Sequence, residues 1–485
     1  MVFETKKKVL TLETINKNII NVEYAVRGEI ALRAEEIKRD LERQEGNYNF
    51  DKLINCSIGN PQALGQQPIT FFRQVMSLLE YPELIKKNDE FNLFPKDVIE
   101  RAKLLHSKIT SLGSYSHSQG IPYIRERVAE FIKERDGYPS NPNNIFLTTG
   151  ASSGVQLLLQ LLAQNDQVGV MIPIPQYPLY TATLSLNNIH PVYYYLNEEE
   201  KWGLNVEELN QNLKIAKEKN IDVRSLVIIN PGNPTGQCLE LENMKQIIEF
   251  CYENNLILMA DEVYQTNIYQ PDEFPFYSFK KVLYSMDSKY HDLELVSFHS
   301  ISKGMIGECG RRGGYFELNG IDSKVAEQVY KISSVSLCPN VSGQVMVDLM
   351  LNPPKKGDES YVLYHQEIQD IYESLKRRSI KLYDAFNSMN SVSCNLAQGA
   401  MYLFPTIKLP QKAIDEAKKQ GKQGDEFYCM EMLNRIGVCT IPGSGFKQKE
   451  ATLHFRTTFL PSEDSIDQFI NLLTGFHNQF MEEYS

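Results

Sequence analysis

The chain has 485 residues, of which 42% are hydrophobic and 23% are charged. This composition is typical of a folded globular protein and excludes disordered, fibrous and collagen-like chains. The formal net charge of −11 argues against a general nucleic-acid binder, because such proteins cluster Lys and Arg to release counterions from phosphates.

The apolar runs of the sequence are short. The longest, such as Leu157–Ala163 and Leu256–Ala260, fall far below the ~20 residues that a membrane-spanning helix needs, so we expect no membrane partner. The eight cysteines form no C-x-x-C pair, and no histidine lies at zinc-finger spacing from a cysteine pair. We therefore expect reduced thiols and no metal site.

The N-terminal segment carries Lys6–Lys8 without a long apolar core after them, which argues against a secretory signal. Glu4 and Glu13, and the absence of any arginine before Arg27, argue against an intact mitochondrial presequence. We expect a cytoplasmic protein, and a mature mitochondrial form that has already lost its presequence is the alternative.

Four regions follow one another along the chain. Residues 1–50 are predicted to form an arm and a helix over Tyr24–Leu41, where apolar and charged positions recur at helical spacing. Residues 51–100 are predicted to form the N-terminal part of a small domain and a linker. Residues 101–350 are predicted to form a large domain, and residues 351–485 the C-terminal part of the small domain.

Short apolar segments alternate with helical patterns in the large-domain region. The helical patterns include Val155–Leu162 and Leu241–Asn254. The predicted strands are Ile145–Thr149, Val168–Ile172, Val192–Leu196, Ser225–Asn230, Leu256–Asp261, Leu295–His299 and Gly313–Glu317. Strands that are apolar on both faces and alternate with helices predict an α/β fold, in which helices wrap a mostly parallel sheet.

The pattern changes in the last third of the chain. Helical spacing dominates from Ser360 to Asn390, and short strand-like segments follow at Met401–Phe404 and Thr452–Arg456. This change predicts a smaller α+β domain. The segment Asn352–Gly357 contains two prolines and a glycine, so we expect a loop near the domain boundary.

Ligands of open α/β sheets bind beyond the carboxyl ends of the strands, so the residues that follow each predicted strand are the candidates. Gly150–Gly154 follows the first strand and precedes a helix. Its small residues and the free N–H groups of the helix suit a phosphate. The alternative is a plain helix cap made by Ser152 or Ser153.

Two further strands end on polar side chains. The segment Pro231–Gly236 predicts a rigid turn that positions the amide of Asn233 as both donor and acceptor, although a purely structural turn is the alternative. Asp261 ends a buried apolar strand, where a carboxylate needs a partner, and a surface aspartate at a strand end is the alternative.

Hydroxyls, a lysine and an arginine follow the strand Leu295–His299. Ser300, Ser302 and Lys303 come first, and Arg312 follows a little later. A solvated lysine is the commonest alternative. This lysine, however, leads into a glycine-rich stretch and not into a charged helix face.

The order and spacing of these segments resemble the pyridoxal-phosphate-dependent aminotransferases of fold type I over roughly residues 50–470. The segments Asn230–Gly236, Phe298–Gly304, Gly307–Tyr315 and Gly65–Phe71 are similar to the alanine aminotransferase branch of that family. The resemblance implies a large cofactor-binding domain with a mostly parallel, seven-stranded-type sheet, and a smaller α+β domain built from both chain ends.

The resemblance also implies roles around the cofactor ring. Lys303 matches the Schiff-base lysine that shuttles the proton, and Asp261 matches the carboxylate that faces the pyridine nitrogen. Asn233 and Tyr264 match the groups that hydrogen-bond the phenolate oxygen. Tyr177 matches the aromatic residue that stacks on the ring, although an ordinary core tyrosine is the alternative.

The remaining assignments concern the phosphate and the substrate. The resemblance places the phosphate at Ala151 (through its backbone), Ser152, Ser153, Ser300, Ser302 and Arg312. Tyr115 matches a tyrosine that reaches the phosphate of the neighbouring subunit, which implies a homodimer. Arg456 matches the arginine that binds the substrate α-carboxylate, and Gly59 and Asn233 border the same group. Arg73 is a candidate for the second carboxylate of glutamate, with a structural arginine as the alternative.

The activity implied is reversible transfer of the amino group from L-alanine to 2-oxoglutarate, giving pyruvate and L-glutamate by ping-pong kinetics through pyridoxal and pyridoxamine phosphate. The same fold also hosts broad-specificity, aromatic and kynurenine aminotransferases and lyases such as aminocyclopropane-carboxylate synthase. A non-catalytic regulator would need a DNA-binding module, for which the arm before Asp51 is too short.

Overall fold

The computed structural model describes residues 8–22 and 28–485. Residues 24–27 of the helix predicted over Tyr24–Leu41 therefore lie outside the described residues, and the helix is observed from Glu29 to Arg43. The strands are β1 (Ile54–Asn55), β2 (Ile145–Thr148), β3 (Val168–Ile174), β4 (His190–Asn197), β5 (Gly203–Leu204), β6 (Asp222–Ile229), β7 (Ile257–Asp261), β8 (Leu295–Ser300), β9 (Gly314–Asn319), β10 (Val392–Ser393), β11 (Tyr402–Leu403), β12 (Thr406–Ile407), β13 (Val438–Cys439), β14 (Ile441–Pro442) and β15 (Phe455–Thr458).

The helices lie between and around these strands. They are α1 (Lys17–Ile20), α2 (Glu29–Arg43), α3 (Thr70–Glu80), α4 (Glu83–Phe91), α5 (Lys96–Lys108), α6 (Pro122–Asp136), α7 (Ala151–Leu162), α8 (Leu179–Leu186), α9 (Val206–Glu218), α10 (Leu241–Glu253), α11 (Phe279–Ser285), α12 (Ser323–Val335), α13 (Val341–Leu351), α14 (Tyr361–Ser388), α15 (Gln411–Lys419), α16 (Gly424–Ile436) and α17 (Glu463–Glu483). None of these described helices combines the length and the apolar character needed to cross a membrane.

The centre of the molecule is a sheet with the strand order β2-β9-β8-β7-β6-β3-β4-β5. The strands from β8 through β4 pair in parallel, whereas β9 and the edge strand β5 pair antiparallel with their neighbours. All seven predicted strands are present, with ends shifted by a few residues, so the prediction of a mostly parallel sheet wrapped by helices is confirmed. Strand β5 was not predicted, because two residues are too few to show an apolar pattern.

Helices cover both faces of this sheet, which explains why its strands are apolar throughout. Every position of β3 is buried. Val170 of β3 belongs to the core on the α7 and α8 face, together with Leu159, whereas its neighbour Met171 belongs to the core on the α9, α10 and α11 face, together with Ile247. Burial of one such side chain contributes roughly 1.5–3 kcal/mol.

The smaller α+β part is built from both ends of the chain, as expected. Strand β1 pairs in parallel with β13, which places Ile54 opposite Val438. Helix α2 packs on α16 through a small core that contains Ile37 and Leu433. Strand β15 begins three residues later than the predicted segment Thr452–Arg456, because Thr452 still closes a turn with Lys449.

Helices α3 and α5 pack with α6 and α13 in one core that contains Phe72, Leu105 and Val345. Helix α14 occupies the segment that was predicted to be helical after residue 360, and Asn352–Gly357 lies in the loop before it. The boundaries of the domains at residues 50, 100 and 350 remain a proposal.

Candidate active site

The carboxyl ends of the parallel strands open into a cavity of about 570 Å³. Most of the predicted site residues, although far apart in the sequence, line this cavity. They are Gly59, Ala151, Ser152, Tyr177, Asn233, Asp261, Tyr264, Ser300, Ser302, Lys303, Arg312 and Arg456. The topology therefore brings together the residue types that the sequence analysis selected.

Asp261 ends β7 on the cavity wall and is only 6% exposed, so the surface alternative does not hold. Its Oδ2 accepts a hydrogen bond from the hydroxyl of Tyr180 at 2.8 Å, and its Oδ1 faces the backbone N–H of Val263. Burial raises the pKa of Asp261 to about 6, against the opposing effects of the Tyr180 and Val263 hydrogen bonds and of the charge on Lys303. This carboxyl can hold a positively charged partner in the cavity.

Lys303 follows β8 and presents its amine to the cavity. Its Nζ donates a hydrogen bond to the carbonyl oxygen of Gly59 at 2.8 Å and lies 5.9 Å from the centre of the Tyr264 ring. The backbone after the lysine is fixed, because Gly304 has a φ of +68° and donates its N–H to Asn267 at 2.8 Å. Glycine adopts this left-handed conformation readily. Because the Lys303 side chain is half-buried and its amine is bonded to Gly59, the solvated-lysine alternative does not describe it.

An anion cradle forms where α7 begins. The two terminal guanidinium nitrogens of Arg312 lie 3.3 Å from the Ser152 hydroxyl and 3.4 Å from the Ser302 hydroxyl, respectively. The N-cap residue of α7 is Gly150, and a Cβ at this position would overlap the Arg312 guanidinium. Ser153 does not line the cavity, because its hydroxyl donates to the carbonyl of Gly150 within the helix turn. Within residues 8–22 and 28–485, Arg312 has no acidic partner, so the cradle suits a phosphate.

Arg456 lies in β15 and is 1% exposed. Its guanidinium carbon lies 4.3 Å from the Tyr402 ring centre and 4.7 Å from the Phe446 ring centre. The guanidinium donates to Asn233 Oδ1 at 3.1 Å and to the carbonyl of Ser57, whereas its Nε has no hydrogen-bond partner among the described residues. A buried cation without a carboxylate is costly, so this position suits an acidic ligand.

A row of polar groups leads from Arg456 along the cavity wall. The Asn233 amide lies 3.4 Å from the Tyr264 hydroxyl, which lies 3.3 Å from the hydroxyl of Tyr402. Burial would raise the pKa of Tyr402, but the charges of Lys303 and Arg456 and the hydrogen bond with Tyr264 outweigh burial and lower it. Tyr402 therefore faces the cations Lys303 and Arg456 with a polarised hydroxyl.

Gly59 is required for space and not for a left-handed backbone. Its φ lies outside the left-handed region, and a Cβ at this position would overlap the hydroxyl of Tyr402. The backbone of Gly59 consequently lies directly against the Tyr402 hydroxyl and the Lys303 amine.

Two predicted residues lie away from the cavity. Tyr115 is 79% exposed, in a loop that contacts the segment after α12 through a bond from Ser118 to Leu337. Arg73 forms an ion pair at 3.0 Å with the buried carboxylate of Glu308. This pair favours the structural alternative for Arg73, which is not among the residues that line the cavity.

Tyr180 and Tyr402 line or support the site without having been predicted. Tyr180 is one of 26 tyrosines, and only its position on α8 brings it to Asp261. Tyr402 lies on a two-residue strand, and its pairing with Thr458 places it beside Arg456. Predicting which strands of the small domain pair would have placed Tyr402 beside Arg456.

The chain is similar to known proteins over most of its length. Residues 86–473 match the model of the family described as aminotransferase class I and II. The chain is 51% identical to the probable mitochondrial alanine aminotransferase of Dictyostelium discoideum, over 99% of this chain and 91% of that protein. It is 49% identical to glutamate–glyoxylate aminotransferase 1 of Arabidopsis thaliana, over 98% of each chain.

The solved structures show the same fold. An aminotransferase from Escherichia coli superposes with a TM-score of 0.75 at 24% identity, over 96% of this chain and 98% of that chain. The fold, the family match and the near full-length relatives agree with the resemblance drawn from the sequence motifs. The chain belongs to the aminotransferase class I and II family.

Proposed function

We propose that this chain is an alanine aminotransferase, which transfers the amino group of L-alanine to 2-oxoglutarate and gives pyruvate and L-glutamate, with pyridoxal phosphate as cofactor. One observation carries the proposal: a single cavity contains an amine, a buried carboxyl and two guanidinium groups that have no acidic partner among the described residues. These groups are Lys303, Asp261, Arg312 and Arg456. The names of the close relatives support the choice of substrates.

The donor set fits pyridoxal phosphate. The cradle of Arg312, Ser152, Ser302 and the first N–H groups of α7 would hold the phosphate, with Ser300 on the same wall. Asp261 would hold the ring nitrogen at the opposite end of the cofactor. When bound, the cofactor supplies an aldehyde that captures amines and a ring that takes up electrons from the substrate.

Three other residues would orient the ring. Asn233 and Tyr264 would donate hydrogen bonds to the ring oxygen, since their polar atoms already face each other across the cavity wall. Tyr177 lines the same cavity and would stack against the ring. These contacts would fix the ring plane relative to the Lys303 amine.

The substrate would bind through its carboxylate. Arg456 offers two parallel N–H donors, and each charge-assisted hydrogen bond contributes ~1.5–3 kcal/mol. The backbone of Gly59 would border the same carboxylate, because no side chain separates it from the cavity. This binding would place the substrate Cα hydrogen toward Lys303.

Lys303 would then move the proton. Its Nζ would take the proton from Cα of alanine as a general base and would then release it as a general acid, while the bound cofactor would supply the electron sink. Asp261, as a carboxylate, would keep the ring nitrogen protonated during this transfer. The second half of the reaction would use the same groups in reverse order with 2-oxoglutarate, which predicts ping-pong kinetics.

A homodimer belongs to this proposal. Tyr115 is exposed, and Val335 and Leu337 beside its loop are 82% and 53% exposed. This surface continues to Asn340, whose backbone N–H donates to the Thr149 hydroxyl next to the anion cradle. We propose that a second copy covers this surface and that Tyr115 of one protomer reaches the phosphate bound by the other.

Glyoxylate is a second candidate acceptor, because a relative of 49% identity is named as a glutamate–glyoxylate aminotransferase. A broad-specificity, aromatic or kynurenine aminotransferase is the alternative on the donor side.

The test is to assay purified protein with pyridoxal phosphate, using L-alanine, L-phenylalanine or L-kynurenine as donor and 2-oxoglutarate or glyoxylate as acceptor. We expect the highest kcat/KM for alanine with 2-oxoglutarate. A higher value for another pair would replace the proposed substrates.

The cellular location is also a proposal. The sequence favours the cytoplasm, whereas the name of the Dictyostelium relative supports the mitochondrion as the alternative. Fractionation of cells with an antibody to the protein would distinguish the two.

A further inference from the structure

A buried histidine lies two residues before Arg456 and contacts the large sheet. The side chain of His454 is 2% exposed. Its Nε2 lies 3.0 Å from a carboxylate oxygen of Glu198, in the turn after β4, and its Nδ1 lies 2.9 Å from the amide oxygen of Gln448. The histidine therefore joins the strand that carries Arg456 to the edge of the large sheet.

The surrounding hydrogen bonds determine how many protons His454 carries. Gln448 donates its amide N–H to Oδ2 of Asp425 at 2.9 Å, and the backbone N–H of Ser444 donates to the same oxygen at 2.7 Å. This carboxylate oxygen is thus an acceptor, which fixes the Gln448 amide with its oxygen toward the histidine. Both ring nitrogens face acceptor oxygens, and only a doubly protonated ring would donate to both of them.

The groups around the ring would favour a positive charge on it. Burial would raise the pKa of Glu198, but the hydrogen bond and the positive charge of His454 outweigh burial and lower it. The other charged or titratable groups that face the ring or line its cleft are mostly acidic. They are Asp425 (which accepts a hydrogen bond from Gln448), Glu426 (which accepts one from Ser444), Glu199, Glu208, Lys449, the thiol of Cys394 beside Glu198, and Arg456 two residues later in the chain.

A series of aromatic contacts connects His454 to Arg456. The imidazole stacks on Phe404 with ring centroids 4.7 Å apart and planes 3° from parallel. Phe404 contacts Phe446 edge to face at 5.9 Å, and Phe446 lies 4.7 Å from the Arg456 guanidinium carbon. Trp202, beside β5 of the large sheet, contacts both Phe404 and His454. His454 directly precedes β15 and forms an isolated antiparallel bridge with Thr406. Residues two apart in an extended segment share a face, so the histidine and the arginine point to the same side.

We propose that His454, as an imidazolium held between Glu198 and Gln448, is a positioning residue that fixes the guanidinium of Arg456 for the substrate carboxylate. The inference rests on the proposed function, in which Arg456 binds that carboxylate. Loss of the ring proton would leave a lone pair facing an acceptor oxygen, and the start of β15 would lose its tie to the large sheet. The ring has no direct contact with Lys303 or the phosphate cradle among the described contacts.

The test compares His454→Asn and Glu198→Gln with the control Glu199→Gln, which removes the same charge at the exposed neighbouring position. We expect both test variants to raise KM for L-alanine and 2-oxoglutarate about tenfold, the effect of losing one charged hydrogen bond. The kcat and the pyridoxal phosphate affinity should change less than twofold in the control and in both test variants. Unchanged KM values, or a loss confined to kcat or cofactor affinity, would overturn the proposal.

A second readout does not depend on activity. In protein labelled with ¹⁵N-histidine, the His454 signal, identified by its loss in the His454→Asn variant, should show two protonated nitrogens at pH 7 in wild type and a neutral ring in Glu198→Gln. A neutral ring in wild type would overturn the proposal even if the enzyme is active. An inactive wild type with a protonated ring would instead refute the proposed function. Because Glu198 is partly exposed, its variant serves if His454→Asn does not fold.

Discussion

The amine of Lys303 and the carbonyl oxygen of Gly59 lie 2.8 Å apart, although 244 residues separate them in the chain. This hydrogen bond joins the loop after β8 to the loop after β1 at the wall of the cavity. It holds the amine close to the Tyr402 hydroxyl, in the cavity that Asp261 also lines.

Replacing Lys303 should abolish turnover without abolishing cofactor binding. A general base contributes about 10²–10⁴-fold to a rate, and this lysine is also the proposed attachment point, so Lys303→Ala should lose at least that factor in kcat. The cofactor should still bind through Arg312 and Asp261, as measured by equilibrium dialysis with pyridoxal phosphate. Lys324→Ala, at an exposed lysine, is the control. Turnover within tenfold of wild type would remove Lys303 from the catalytic role.

Cofactor affinity should depend on the charge of Asp261. The pKa of this carboxyl is raised to about 6, so it is ionised above that pH and neutral below it. Only the ionised form pairs with a protonated ring nitrogen, so affinity for pyridoxal phosphate should fall as the pH drops through about 6. Fluorescence titrations between about pH 5 and 8 would measure this. The Asp261→Asn variant should bind more weakly and lack this step, and an identical step in that variant would contradict the assignment.

Arg456→Lys should weaken substrate binding much more than cofactor binding. Lysine keeps the charge but cannot form two parallel hydrogen bonds, and the loss of one charge-assisted bond, ~1.5–3 kcal/mol, raises KM for alanine about 10- to 150-fold. Arg377→Lys, at an arginine whose side chain is 55% exposed, provides the matched control. Steady-state kinetics with both substrates would show the difference. Equal KM values in the two variants would exclude Arg456 as the carboxylate ligand.

The loss of activity in Gly59→Ala should be partly reversed by removing the Tyr402 hydroxyl. An added Cβ would overlap the Tyr402 hydroxyl, so the single variant should lose kcat/KM, whereas Gly59→Ala combined with Tyr402→Phe should recover part of the loss. The measured quantity is the coupling free energy of the double-mutant cycle, expected to be about 0.5–3 kcal/mol. Purely additive effects would show that this contact does not restrict the residue at position 59.

Glu262 should make the fold less stable as the pH rises. Burial raises the pKa of this carboxyl to about 8, against the charge of Arg135 and the N–H of Phe279. The folded state therefore holds a proton that the unfolded state, with a pKa of about 4.3, has lost, and the free energy of unfolding falls between these two pH values. Glu262→Gln removes the titration, so its Tm advantage over wild type should grow from about pH 4.3 to about pH 8. A Tm difference that stays constant with pH would contradict this.

The central sheet could be predicted because both faces of its strands are covered, so that segments such as Val168–Ile174 are apolar throughout. The convergence of Asp261, Lys303 and Arg312 could be predicted as well, since polar residues after parallel strands meet at one edge. Their roles remain predictions. Tyr402 could not be located in the same way, because its place depends on pairing across the small domain.

The fate of individual charges was less accessible from the sequence. Arg73 follows the motif Gly65–Phe71 by two residues, but its partner Glu308 is distant in the chain and is buried only by the fold. The hydrogen bonds that link His454 to Asp425 through Gln448 likewise exist only in the tertiary structure.

The most direct test of the account is to load the purified protein with pyridoxal phosphate, reduce it with borohydride and identify the modified residue by peptide mass spectrometry. The reduction makes the link between the cofactor and its amine permanent. We predict that the modification lies on Lys303 and is lost when the protein is first treated with L-alanine. Modification of another lysine, or none at all, would contradict the proposed active site.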